Sequence, residues 1–319
     1  GGEDNDIPFY GRVYISIVPT LGSITAAAKS QIVADLKKSF TIASVTPVIV
    51  DPEYTDIRLN VVFQYNSKNT TKTPETLTSN VRTKIIEYGT ENLSKFDGVF
   101  RYSQVVGIVD DTDDAITSNI TTVNLSKRVT PILNKATKYT IPFGNALFNP
   151  HDGHMSDTGG IVSSTGFFIS GDTNEMFLND DGNGNIRMFY LVDGTTTTYK
   201  DNTAGTINYK TGEIILTNVN ITSTSSVDGV TSSSFRILVK PDSNDILGVR
   251  NQVLRLDTSN LTISATTDTI ASGSTSAGVG ASITSSYSGE TTSASATSTS
   301  SSSSSDVSSS SSAGSSSGY

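Results

Sequence analysis

Between Ile57 and Tyr65 the residues Ile57, Leu59, Val61, Phe63 and Tyr65 alternate with Arg58, Asn60, Val62 and Gln64. A period of two places the first five on one face of a strand, and that face needs a core to bury it. Asp51-Pro52-Glu53-Tyr54 interrupts the apolar run before it, because proline has no amide to donate and restricts the residue ahead of it. Downstream, Thr73-Pro74-Glu75 reads as a helix start. Threonine caps, proline takes the first helical position, and glutamate sits at the positive end of the dipole. Leu77, Val81, Ile85 and Tyr88 then form a single apolar stripe.

The same reading extends to both sides of this stretch. Val13, Ile15 and Ile17 alternate as a first strand, and Pro19 to Gly22 makes a turn. Ile24, Ala28, Ile32, Leu36 and Phe40 recur every four residues as a helix, with Ser23 as its cap and Lys37-Lys38 at its negative end. Thr46 to Val50 is a second strand. Ser103 is placed to cap a short helix carrying Val105, Val106 and Val109, and Ile116 to Val129 reads as a long strand. The order is βαββαβ, the split-βαβ (ferredoxin-like) plan, in which an antiparallel sheet carries helices on one face. The fold class expected is therefore α+β, with residues 1–131 forming this domain.

Beyond Pro131 the chain changes to short strands and glycine-rich turns. Lys138 to Phe143, Gly166 to Ser170, Ile186 to Asp193, Thr195 to Lys200, Gly212 to Val219 and Phe235 to Lys240 are strand candidates. Gly205 to Ile215 reads as a hairpin, with Gly212 supplying a positive φ. Residues 132–258 are expected to form a small β-rich domain. Residues 259–319 are mostly serine, threonine, alanine and glycine. Such a segment buries too little apolar surface to offset its ordering entropy, so a disordered tail is expected there.

Composition narrows the function. A net charge of −9 and a pI near 4.7 oppose a broad phosphate-binding surface, so nucleic acid is not expected as a partner. Cysteine is absent, which removes thiolate nucleophiles, disulfides and cysteine-based zinc sites. No apolar run approaches the roughly 20 residues of a bilayer span, so no membrane partner is expected.

Four clusters carry possible chemistry. Asn179, Asp181, Asn183 and Gly184 occupy the first, third, fifth and sixth positions of a calcium-loop pattern, but Tyr190 stands where the bidentate glutamate belongs. A polar hairpin tip uses the same residues. His151, Asp152, His154 and Asp157 offer imidazole and carboxylate ligands in an apparent loop, better read as a plain flexible connection than as a metal site. Asp110, Asp111, Asp113 and Asp114 crowd a segment better suited to a solvated turn and a cap than to acid/base work. No catalytic, cofactor or metal residue is assigned. Phe96, Phe100, Arg101 and Tyr102 form an aromatic and arginine cluster. Arg101 and Tyr102 are the candidate interface residues, since these types favour interface centres, while Phe96 and Phe100 suit a core corner.

Four short segments then stand in a characteristic order: GGEDND at Gly1 to Asp6 leading into YGRVYISI, VDPEY at Val50 to Tyr54, KFDGVFRYS at Lys95 to Ser103, and DILGVRNQVL at Asp245 to Leu254. In these the chain resembles the baseplate wedge proteins of T-even-like contractile-tailed bacteriophages, part of the wider baseplate J-like group. The resemblance implies the C-terminal portion of a longer structural subunit that is no enzyme and needs no cofactor. It implies a homodimer that joins other baseplate wedge and tail proteins into the inner ring around the tail tube. It further implies rearrangement on tail contraction, assembly in the host bacterial cytoplasm and a place in the virion. The alternative is a β-rich adhesin or host-recognition module of a phage tail, favoured by the serine- and threonine-rich end.

Overall fold

The computed structural model describes residues 11–19, 24–39, 45–226, 232–249 and 251–270. The GGEDND segment, Ser23, Phe40 and everything beyond residue 270 lie outside them.

In chain order the elements are β1 (Arg12–Ser16), α1 (Ala26–Ser39), β2 (Thr46–Val50), β3 (Glu53–Tyr65), α2 (Pro74–Asn92), β4 (Val99–Phe100), α3 (Tyr102–Asp110), β5 (Ile116–Val129) and β6 (Ala136–Pro142). They continue as β7 (Val162–Ser164), β8 (Phe167–Ile169), β9 (Met176–Asp180), β10 (Asn185–Val192), β11 (Thr196–Asn208), β12 (Glu213–Thr224), β13 (Phe235–Val239), β14 (Ile246–Leu247), β15 (Gln252–Leu256) and β16 (Thr262–Thr267).

The alternation in β3 performs as its period requires: Ile57, Leu59, Val61 and Phe63 are all at most 1% exposed. Against them lies α2, whose Leu77, Val81, Ile85 and Tyr88 are buried and whose N-terminus is capped by the Thr73 hydroxyl accepting from the Thr76 amide at 3.3 Å. Helix α2 packs on β15 and β16, and α3 packs on β5 and on α2. The α+β class therefore holds, with helices layered on a sheet.

The split-βαβ plan does not. β1 and β2 do not join β3 and β5; they pair with each other in parallel, Arg12 opposite Thr46 through Ser16 opposite Val50, as a separate two-stranded sheet. The helical crossover of α1 favours that parallel pairing locally. The main sheet runs β15-β3-β5-β13-β7 and is mixed, because β15 and β16 both lie parallel to β3, along the edge opposite β5. The places beside β3 and β5 thus go to strands from the far end of the chain.

A second sheet, formed by β6 and β8 to β12, closes on itself. β8, β9, β10, β11 and β12 pair in succession, and β12 returns to β8, giving a five-strand antiparallel barrel on which β6 flanks β12. Met176, Leu178, Ile186, Ile214, Leu216 and Ile221 fill it. The expected hairpin is present: β11 and β12 pair from Gly205 opposite Leu216 to Asn208 opposite Glu213, and Gly212 has φ +69°. Thr195 to Lys200 is no separate strand but runs on into the rest of β11, whose Gly205 is crowded by the Ile215 carbonyl.

The pairings cross the boundary expected at residue 131. β7, β13 and β15 complete the sheet of the first region rather than the barrel, and the described residues all fall in one compact unit. Nor does order stop at residue 258. Leu261 is 3% exposed and β16 pairs with β3 from Thr262 opposite Asn60 to Thr267 opposite Tyr65. A serine- and threonine-rich strand is held here by backbone hydrogen bonds and by half-buried Ile263 and Ala265 packed against the core, which its composition alone underrates.

Candidate functional site

Three of the four segments that carry the resemblance meet at one place. In KFDGVFRYS, Phe100 is fully buried and meets Tyr88 edge to face with centroids 6.1 Å apart. The Arg101 amide donates to the Tyr88 hydroxyl at 2.9 Å. In DILGVRNQVL, Asp245 accepts the Tyr102 amide at 2.9 Å through one oxygen and pairs with the Arg101 guanidinium at 2.8 Å through the other. Strand β4 pairs with β14, and β15 pairs with β3 beginning at Glu53 in VDPEY. Buried Gln252 donates from its amide to the Thr55 hydroxyl and, at 3.0 Å, to the Phe143 carbonyl. One residue thereby ties β15 to β3 and to the chain beside the barrel.

Asp245 is the cap of α3. The residue preceding the helix, Arg101, makes no side-chain cap bond, and Ser103 lies inside the first turn rather than capping it. The Tyr102 amide, and after it the Arg101 side chain, holds the Asp245 carboxyl below its ordinary value. Of the candidate interface residues, Arg101 keeps about half its side chain exposed at 52% while paired. Tyr102 is half-buried and donates its hydroxyl to the Thr121 carbonyl at 3.1 Å. Phe96 is exposed at 37%.

The structure also brings together two clusters that are separate in sequence. The loop holding His151 and His154 lies against the turn of Asp181 to Gly184: the Gly153 amide donates to the Gly182 carbonyl at 3.0 Å, and a side chain on Gly182 would collide with the His154 backbone. His154 Nδ1 lies 3.3 Å from His151 Nε2. Asp152 and Asp157 add no side-chain bond to the pair, and among the described residues no group of three or more His, Asp or Glu is placed to hold a metal ion. Asp181 is consumed by its own turn, accepting the Asn183 amide at 2.8 Å, the Asn185 amide at 3.0 Å and the Asn185 side chain at 2.7 Å. Burial opposes its ionisation, but those hydrogen bonds outweigh burial and lower its pKa. Asn179 is likewise engaged, accepting from Arg187 Nε at 3.0 Å. The calcium-like spacing is a hairpin tip between β9 and β10.

The residue that organises this corner is Asp180, which no motif marks. It is 1% exposed and accepts the Ile161 amide at 2.7 Å, the Val162 amide at 2.8 Å and the Tyr209 hydroxyl at 2.6 Å. Burial first, and then the bond to Asp180, raises the Tyr209 pKa far above its ordinary value. Its only sequence signal is an acid that closes a strand opening on three apolar residues, Met176, Phe177 and Leu178.

The aspartate cluster resolves into structural roles. Asp111 is the C-cap residue of α3. Asp110 accepts from Asn119 at 2.7 Å. Asp113 accepts the Ala115 amide at 3.0 Å and pairs with Lys72, whose bond lowers its pKa most. On the outside of the barrel, Phe177, Phe189 and Tyr199 stand in direct register across β9, β10 and β11, and the Arg187 guanidinium lies 4.5 Å from the Tyr199 ring centre.

The bonds of Asp113, Asp180, Asp181 and Asp245 thus fix segments of the fold against one another. Comparison with known families agrees with the resemblance read from the sequence. Residues 53–128 match the family model described as baseplate structural protein gp6, C-terminal domain III, and residues 1–50 match that of C-terminal domain I. Over 119 residues, 37% of this chain, it is 24% identical to baseplate wedge protein gp6 of Enterobacteria phage T4, and that stretch spans 18% of the relative's length. Residues 1–50 and 53–128 are thus similar to C-terminal domains of a phage baseplate structural protein, and the matched stretch spans about a fifth of the length of the curated relative. The two matches divide at Asp51-Pro52, where β1–α1–β2 ends and β3 begins.

Proposed function

We propose that this baseplate wedge subunit dimerises, joins neighbouring wedge proteins into the inner ring around the tail tube, and rearranges when the tail contracts. The observation that carries this reading is the incompleteness of β1–α1–β2. Among its described residues none is buried: Val13 is 44% exposed, and Ile32, Val33 and Leu36 on α1 are only half-buried. With no fully buried side chain among its described residues, this two-stranded sheet and its helix have little apolar contact of their own to hold them. A symmetric self-contact through this unit would supply the missing burial and place the same patch on both copies. Arg101 and Tyr102, rigidly mounted by Asp245, Tyr88 and Thr121, are proposed as contacts to a neighbouring wedge protein. Sedimentation velocity on the purified chain should report a dimer that Leu36→Arg converts to monomer without lowering the main thermal transition. A monomer at every concentration up to about 100 μM would remove the dimer from this reading.

A second reading, host-surface recognition by the barrel, is favoured by the row Phe177–Phe189–Tyr199 with Arg187. Binding to host envelope fractions that Tyr199→Ala abolishes would support it, and indifference to that change would not.

A further inference from the structure

A cleft of about 630 Å³ opens between the main sheet and β6, within the range of about 300–1,000 Å³ that ligand clefts occupy. Its charge is opposite to that of the chain as a whole. Lys127, Arg128, Lys138 and Arg255 line it against two carboxylates, Glu53 and Asp56, whereas the whole protein carries −9. Both arginines converge on one acid. Arg255 donates to Asp56 at 2.8 and 3.0 Å, and Arg128 Nε lies 3.6 Å from its other oxygen. Lys127 pairs with Glu53 at 3.0 Å, and Lys138 has no carboxylate partner among the described residues. One shared acid leaves Arg128, with its side chain 53% exposed, under-neutralised at the mouth. Arg255 is held in place by the Tyr54 ring, 4.0 Å beneath it.

The opposite wall is a strand edge. β6 ends the order of its sheet, paired with β12 alone. Six consecutive residues of it, from Thr137 to Pro142, line the cleft. Contact through one face would involve alternate residues, so the cleft runs along the unpaired edge, where backbone donors and acceptors stand open.

We propose that this cleft takes an extended acidic segment of another protein, which adds as a strand along the free edge of β6 with its carboxylates toward Arg128 and Lys138. Backbone pairing supplies affinity and the basic floor selects acidic side chains, the division of labour in strand addition. A segment of about five residues at roughly 3.3 Å each fits the length of β6. Such docking is independent of self-association.

The test uses the full chain, labelled for NMR, and a fluorescein-labelled octapeptide alternating glutamate and threonine. Binding should shift the amide resonances of Thr137 to Ile141 and weaken with salt. Arg128→Gln combined with Lys138→Glu should reduce affinity at least about tenfold while leaving the thermal transition in place; the exposed Lys138→Glu alone serves if the pair disturbs folding. The same peptide with proline for threonine keeps its charge but loses amide donors, and should lose binding. The idea is overturned by no binding of the acidic peptide, by equal binding of the proline or a lysine–threonine peptide, or by indifference to the substitutions. Preference for a short oligothymidylate would overturn it in favour of a nucleic-acid groove.

Discussion

At the scale of single residues, this protein uses carboxylates as backbone caps rather than as reagents. Asp245 does for α3 what a neighbouring serine usually does for a helix, from a position far along the chain. Asp245→Ala should cost on the order of 1 kcal/mol in chemical denaturation, the usual worth of a cap, with little added by the exposed ion pair. Its folded pKa is depressed, so its contribution is present above the ordinary carboxylate value and disappears as pH falls through the lowered one. The gap between wild type and Asp245→Asn should therefore close in acid. Tyr209 works in the opposite sense. Its pKa is raised, so its contribution is complete below the unfolded value of 10.0 and declines at higher pH, as the unfolded chain ionises and the folded one resists. Spectrophotometric titration should find one tyrosine that ionises only with unfolding, and Tyr209→Phe should abolish that late step. The same change should cost roughly 1–3 kcal/mol at neutral pH, because a buried carboxylate loses a donor.

At the scale of elements, what was readable locally is what the chain builds locally. Helix α2 begins at Thr73-Pro74 because its cap, its first-turn acid and its stripe all lie within one short window. The alternation in β3 likewise names its own buried face. β15 and β16 carry no such self-sufficient signal: Gln252 comes to lie beside Glu53 and Thr262 beside Asn60 only when the sheet forms. Composition therefore assigns β16 to the tail, although it covers an edge of the main strand. Ending the chain at residue 258 should expose that edge and cause aggregation, whereas ending it at residue 270 should not. Leu261→Ala should lower stability by roughly 2–4 kcal/mol, as for other fully buried leucines, measured by urea unfolding. The candidate interface followed the same rule. Arg101 and Tyr102 are visible as a cluster of the right residue types, but Asp245, which mounts them, is visible only as the first residue of the DILGVRNQVL segment.

At the scale of the whole molecule, cohesion is uneven. The barrel and the β3–β5 sheet share one continuous buried cluster, whereas β1–α1–β2 contributes nothing to it among the described residues. Local opening should follow that difference. Amide hydrogen exchange in the isolated chain should be slow in β3 and β12 and fast throughout β1–α1–β2, then slow in the latter on assembly. Uniform protection in the isolated chain would show the unit to be complete without a partner. The segments with period, caps and turn glycines could be assigned from the order of residues alone, because each rests on forces acting within a few positions. So could the resemblance to baseplate wedge proteins, because it rests on short segments read in order. The mixed sheet, the barrel closure, the burial of Asp180 and the basic cleft beside β6 arise instead from residues far apart in the chain. Their pairing is selected only when the apolar faces of β3, α2 and the barrel strands are buried together, and no local window of sequence contains that choice.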